Sequence, residues 1–225
     1  MTEEIWAIAQ SYTANFQNRS LVGGGISLND MNELEALIQK NAYKTNHNIK
    51  NIKIGELGSW TGTSTSLFAK IAKENSGRVY AVDTFEGAET DNLQDCANAF
   101  DIEKIFRNHL KAQKLEEYVE IYKGKTVELH DKFANDFFDV LFIDADHRYE
   151  SVKKDIELWS PKVKKGGIIC GHDCDVLLKN GIQSLYDHFK DVNYAGLHLG
   201  VCRAVSESFK DARKTDTGVV WFKVK

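Results

Sequence analysis

Two short acidic runs carry the side chains best suited to chemistry. Phe142-Ile143-Asp144-Ala145-Asp146-His147 sets two carboxylates beside an imidazole, and Gly171-His172-Asp173 pairs an imidazole with a carboxylate farther along. Carboxylates and water suit Mg2+ or Mn2+, while an imidazole tilts the preference toward a transition metal. Asp144, His172 and Asp173 are therefore candidate ligands of a divalent cation, with Mg2+ the expected ion. The competing reading has Asp144 and Asp173 capping the helices that follow and His172 facing solvent. Asp146 is expected to cap or support its neighbours. An imidazole titrates near neutrality, so His147, close to Asp144, is the candidate general base.

A second constellation precedes these runs. Gly55-Glu56-Leu57-Gly58-Ser59-Trp60-Thr61-Gly62-Thr63-Ser64 reads as a turn between a strand and a helix. Backbone N–H groups at a helix start favour an anion. The glycines do not follow the dinucleotide pattern, and Trp60 stands where a pyrophosphate loop wants glycine. A smaller anion such as a carboxylate fits better, and Glu56 could hydrogen-bond an ammonium. Asp83 ends the next strand, about 20 residues on, where an acid can take both ribose hydroxyls. Loop and acid together imply a nucleoside-bearing ligand with little or no phosphate.

These residues need strands to present them. Residues 52–57, 79–82, 119–122, 139–143 and 168–171 read as strands, the fourth apolar without alternation as in a doubly buried strand. Helices are expected over 3–17, from Ser27 or Asn29 through Lys40, and over 63–75, 92–113, 126–134, 149–159 and 178–190. Pro161 falls where the helix over 149–159 should stop, and Gly166-Gly167 turns into the next strand. Residues 201–206 and 219–224 read as two antiparallel strands. The alternation predicts an α/β fold: a doubly wound, mostly parallel seven-stranded sheet with an antiparallel C-terminal strand. Residues 1–45 are read as a helical cap or lid of the same domain and 46–225 as its cofactor-binding body. Both acidic runs then end neighbouring strands, so their side chains can converge at one rim.

Composition bounds the partners. In 225 residues, Lys and Arg total 29 against 33 Asp and Glu, a net charge of −4. That argues against a nucleic-acid footprint. No apolar run nears the roughly 18 residues of a membrane span, and Met1-Thr2-Glu3-Glu4 lacks a signal-peptide profile. Of the 4 cysteines only Cys170 and Cys174 are close, without a second pair, which fits reduced cytoplasmic thiols better than zinc.

E-L-G-S-W-T-G-T-S followed by V-Y-A-V-D resembles the cofactor site of class I S-adenosylmethionine-dependent methyltransferases, in the O-methyltransferase branch. The resemblance implies that Glu56 serves the methionine amino group, directly or through water. It gives Gly58, Trp60 and Ser64 to the methionine end, Asp83 to the ribose, Lys125 and Thr126 to the adenine edge, Gly62 and Thr84 to the cofactor site at large, and Asp144 to both cofactor and catalysis. Thr126 could instead cap a helix. F-I-D-A-D-H-R-Y-E-S-V and W-S-P-K-V-K-K-G-G-I-I-C-G-H-D resemble small bacterial methyltransferases that include metal-dependent enzymes acting on macrolide sugars. There an acid matching Asp144 and the pair matching His172-Asp173 hold Mg2+, and the histidine matching His147 is the base. His172 replaces the acid usual in the sugar enzymes, and Cys174 the asparagine of the catechol type. The implied acceptor is a hydroxyl on a small molecule or sugar, in a cytoplasmic protein that could form a homodimer. Two other readings stay open: an NAD-binding oxidoreductase and a non-catalytic cofactor-binding assembly or sensor protein.

Overall fold

The computed structural model describes residues 25–45, 50–88, 93–174, 177, 198–216 and 218–225. Among these residues the sheet has seven strands, in the order β3-β2-β1-β4-β5-β7-β6. Strand β1 (Lys53–Leu57) pairs in parallel with β2 (Arg78–Asp83) on one side and β4 (Phe138–Ile143) on the other. Chain order therefore reverses at β1, which is where open α/β sheets bind ligands. Strand β3 (Val119–Lys123) extends one flank and β5 (Val163–Gly171) the other, both parallel. The end of the chain departs from the expected strand pair. Residues 201–206 lie inside a helix, α7 (Leu199–Ser208), and the antiparallel strands are β6 (Arg213–Lys214) and β7 (Trp221–Val224). The buried Leu199, Cys202 and Val205 follow helical spacing, but six mostly apolar residues are too short a run to separate the two periods.

The sheet is covered on both faces. Val140 and Phe142 of β4 join one core with Leu34 and Ile38 of α1 (Leu28–Thr45), Phe68 of α2 (Thr63–Glu74) and Phe106. Leu141 and Ile143 join the other with Trp159 of α6 (Tyr149–Trp159) and Val205 of α7. Alternate residues of one strand thus feed opposite cores, which explains its unbroken apolar run.

Other boundaries shift for local reasons. The helix expected over 92–113 is two, α3 (Leu93–Ala99) and α4 (Ile102–Ala112), because the Asp101 side chain accepts the Lys104 N–H and starts the second afresh. That over 126–134 shortens to α5 (Thr126–Leu129) and a 3-10 turn. Gly166 and Gly167 lie within β5, where the β4–β5 register slips between Phe138 and Val140. Ser27 caps α1 by accepting the Asp30 N–H at 3.1 Å, while Asp30 accepts the Ser27 N–H at 3.2 Å. The helices expected over 3–17 and 178–190 lie outside the described residues. Among the described residues no helix is long and apolar enough to cross a membrane.

Candidate active site

The turn after β1 is built around close approach. Gly58 has φ +84°, and a Cβ there would stand 2.0 Å from the Asp144 carbonyl oxygen. The Gly58 N–H donates to Val82 O at 3.0 Å and the Asp144 N–H to Leu57 O at 2.8 Å, locking the ends of β1, β2 and β4 together. His109 of α4 holds the far side of the turn, with Nδ1 2.8 Å from Thr61 O.

Glu56 lies beneath this turn, fully buried. Ser59 Oγ donates to it at 2.8 Å, Ser64 Oγ at 2.6 Å and Thr65 Oγ1 at 2.5 Å. Burial pushes its carboxyl up, the three hydroxyls pull it down, and the balance stands at about 7. Asp83 Oδ2 accepts the backbone N–H groups of Ser59 at 2.6 Å and Trp60 at 2.7 Å, and Oδ1 that of Phe85 at 2.7 Å. The anion seated at the start of this turn is thus the protein's own Asp83. Burial holds that carboxyl above its ordinary value against the pull of these donors.

A cleft of about 440 Å³ opens above the turn. Gly58, Trp60, Asp83, Thr84, Lys125, Thr126 and Asp144, all expected at a cofactor, line it. Glu56, Gly62 and Ser64 are not on its wall; they support the turn from behind. Thr126 is the first residue of α5 and does not cap it; its hydroxyl donates to Asp155 Oδ1 of α6 at 2.6 Å. Asp146 supports the entry to α6, accepting the Arg148 N–H at 3.0 Å and Ser151 Oγ at 3.0 Å.

The second acidic run meets the first at one end of this cleft. Pairing of β4 with β5 sets Ile143 beside Gly171, so Asp144 and the His172-Asp173 pair leave the sheet together. Asp173 has φ +59°, a left-handed conformation costly for a non-glycine residue. His147 Nε2 stands 3.5 Å from Asp144 Oδ1 and 3.3 Å from Asp173 Oδ2. His172 is buried: Nδ1 faces Asp173 Oδ1 at 3.3 Å, and Nε2 faces Asp30 Oδ2 of α1 at 3.4 Å. Burial disfavours charge on this ring, but the flanking carboxylates outweigh it and raise the ring to about 10. Burial also pushes Asp30 up, yet His172 and Ser27 hold it down at about 2. Asp173 is held below the ordinary carboxylate range: burial opposes this, and His172, His147 and His198 overcome it.

His198 has no counterpart in the sequence reading. It precedes α7, Nδ1 stands 3.3 Å from Asp173 Oδ1, and its ring meets that of His147 edge-on at 4.8 Å between centroids. Nothing in the motifs pointed to it; the only signal was a histidine two residues before a glycine in an apolar run. Asp144, His172 and Asp173 offer donor atoms within 4.8 Å of one another, as do His147, Asp173 and His198. Carboxylate oxygens and imidazole nitrogens at that spacing form a donor set that fits a divalent cation, provided the cation displaces the proton that the carboxylates hold on His172.

A seven-stranded sheet in the order β3-β2-β1-β4-β5-β7-β6, reversing at β1 beneath the cleft and with β7 antiparallel, is the Rossmann-like methyltransferase fold. Residues 56–174 match the family model described as a methyltransferase domain, and the chain belongs to that family. Its members' chemistry makes the protein an S-adenosylmethionine-dependent methyltransferase, and the NAD-dependent reading falls away. Solved structures agree on the fold. A Staphylococcus aureus protein designated a candidate caffeoyl-CoA O-methyltransferase is 18% identical at TM-score 0.61, covering 98% of this chain and 96% of its own. The O-methyltransferase NovP is 16% identical at TM-score 0.61, covering 87% and 80%. Cofactor-bound Rv0187 from MTB is 16% identical at TM-score 0.59, covering 97% and 88%.

Proposed function

We propose that the protein methylates a hydroxyl of a small molecule or sugar, aided by a divalent cation, with His147 as general base. The observation that carries this is the position of Asp144, which both lines the cofactor cleft and stands 3.5 Å from His147 Nε2. The methyl donor and the proton acceptor therefore meet at one residue. In the transfer the acceptor oxygen forms a bond to the methyl carbon while the carbon–sulfur bond breaks. The electron pair of that bond stays on sulfur, leaving S-adenosylhomocysteine, and the hydroxyl proton passes to His147. Asp144 and Asp173 flank the ring and compensate the positive charge it gains.

Asp144, His172 and Asp173 would hold the cation, which supplies positive charge that eases removal of the hydroxyl proton. The turn after β1 holds the cofactor in line, and good alignment contributes roughly 7–11 kcal/mol. General-base catalysis typically adds about 10²–10⁴-fold. The ribose role of Asp83 and the adenine-edge roles of Lys125 and Thr126 belong to the same proposal, supported by their places on the cleft wall.

The test uses labelled S-adenosylmethionine with panels of sugars and phenols, in Mg2+ and in chelator. His147→Ala should lower kcat about 100-fold or more while calorimetric affinity for S-adenosylhomocysteine stays unchanged. Equal loss of turnover and affinity would defeat the base assignment, and full activity in chelator would defeat the cation.

A further inference from the structure

We infer that Asp155 reads the 6-amino edge of the cofactor's adenine and so sets the nucleobase specificity of the cleft. This rests on the S-adenosylmethionine reading above. Asp155 sits on α6, only 3% exposed, yet it lines the cleft together with Thr126, Val127 and Ala145. Its Oδ1 accepts from Thr126 Oγ1 at 2.6 Å. Among the described residues no donor meets Oδ2, and no cation stands against the carboxyl. The nearest acid, Asp146, adds repulsion and is itself engaged by Arg148 and Ser151.

Burial without a second donor pushes this carboxyl up to about 7, the Thr126 bond opposing only in part. A buried acid left this way is costly unless a ligand supplies what the protein does not. The strand ends beneath the cleft follow the sheet order, Asp144 after β4, Gly58 after β1, Asp83 at the end of β2 and Gly124 after β3, and Asp155 is tied to this last loop through Thr126. With the ribose at Asp83, the base falls at that far end. The 6-amino group of adenine is a donor with no phosphate or sugar competing for it, and Oδ2 is an acceptor.

Stapling α5 to α6 does not explain an acid here. Trp159 Nε1 already donates to Thr126 O at 3.2 Å, and an asparagine carbonyl would take the Thr126 hydroxyl equally well. The choice of Asp over Asn matters at the other oxygen. The carboxylate accepts from an amino group there, whereas an amide N–H2 turned to the ligand would favour a 6-oxo base.

The experiment is calorimetric titration at about pH 8.5, where Asp155 is ionised, of the full chain and of Asp155→Asn with S-adenosylhomocysteine and S-inosylhomocysteine, which carries oxygen in place of the amino group. The wild type should prefer the adenosyl compound by roughly 10–100-fold, the loss expected when two buried acceptors face each other. In Asp155→Asn that ratio should fall to within about threefold of unity or invert, with a far-ultraviolet spectrum unchanged. An unchanged ratio in the variant overturns the inference alone. So does a wild type that binds both compounds equally, whatever the variant does. A wild type that binds neither overturns the cofactor reading and this inference with it.

Discussion

Glu56→Gln should make the protein more stable at pH 8 and leave it nearly unchanged at pH 5. Glu56 is a buried acid raised from 4.5 to about 7. Between those values the folded state keeps a proton that the unfolded chain gives up. Stability therefore falls as pH rises through this window, and the loss is complete once pH exceeds about 7. A shift of about 2.5 units corresponds to roughly 3 kcal/mol in full, of which about 2.5 kcal/mol falls between pH 5 and 8. Glutamine is close in shape to the neutral acid and has no proton to lose. The hydroxyls of Ser59, Ser64 and Thr65 can rotate to accept from its amide. Urea unfolding followed by tryptophan fluorescence at pH 5, 6, 7 and 8 measures the two curves. The expected result is coincidence near pH 5 and a variant about 2.5 kcal/mol more stable at pH 8. Parallel curves, or a variant less stable at pH 8, would refute the reasoning. They would mean that three hydroxyl donors outweigh desolvation and that Glu56 is ionised throughout.

Asp83→Ala strips the acceptor from the Ser59, Trp60 and Phe85 N–H groups, so S-adenosylhomocysteine should bind at least about tenfold more weakly. Unchanged calorimetric affinity would sink both the ribose role and its support of the turn. Gly58→Ala forces a Cβ into the Asp144 carbonyl at a left-handed φ, and should cost at least about 2 kcal/mol in denaturant unfolding. A variant as stable as the wild type would show that the junction of β1, β2 and β4 can open freely.

What was legible in the sequence was whatever depended on strand ends. The doubly buried β4 announced itself as an unbroken apolar run, and once β4 and β5 were neighbours Asp144 and Asp173 had to meet. Gly58 and Asp83 were equally readable, because their spacing brackets one strand–turn–helix unit. Orientation was not readable. Glu56, Gly62 and Ser64 share the motif with Gly58 and Trp60 but stand behind the turn, since alternation sends Glu56 and Leu57 to opposite sides of β1. His198 and Asp155 were invisible for another reason. Each reaches its place through tertiary packing: Asp155 lies a helix length beyond the strand it serves, and His198 precedes a helix that read as a strand. Asp30 was likewise hidden, because an acid in the first turn of a helix ordinarily does no more than favour that helix end.

The reach of α1 across the sheet bears on where a working fragment of this protein can begin. Leu34 and Ile38 fill the same core as Phe68 and Phe142, and Asp30 is the carboxylate that faces the outer nitrogen of His172. Starting the chain at residue 46 would remove two buried aliphatic side chains, worth roughly 1.5–3 kcal/mol each, and uncover the core they pack on. It would also leave a buried imidazole facing an empty socket. The smallest unit able to assemble the acidic rim therefore begins no later than Ser27, and α1 packs as part of the body of the enzyme.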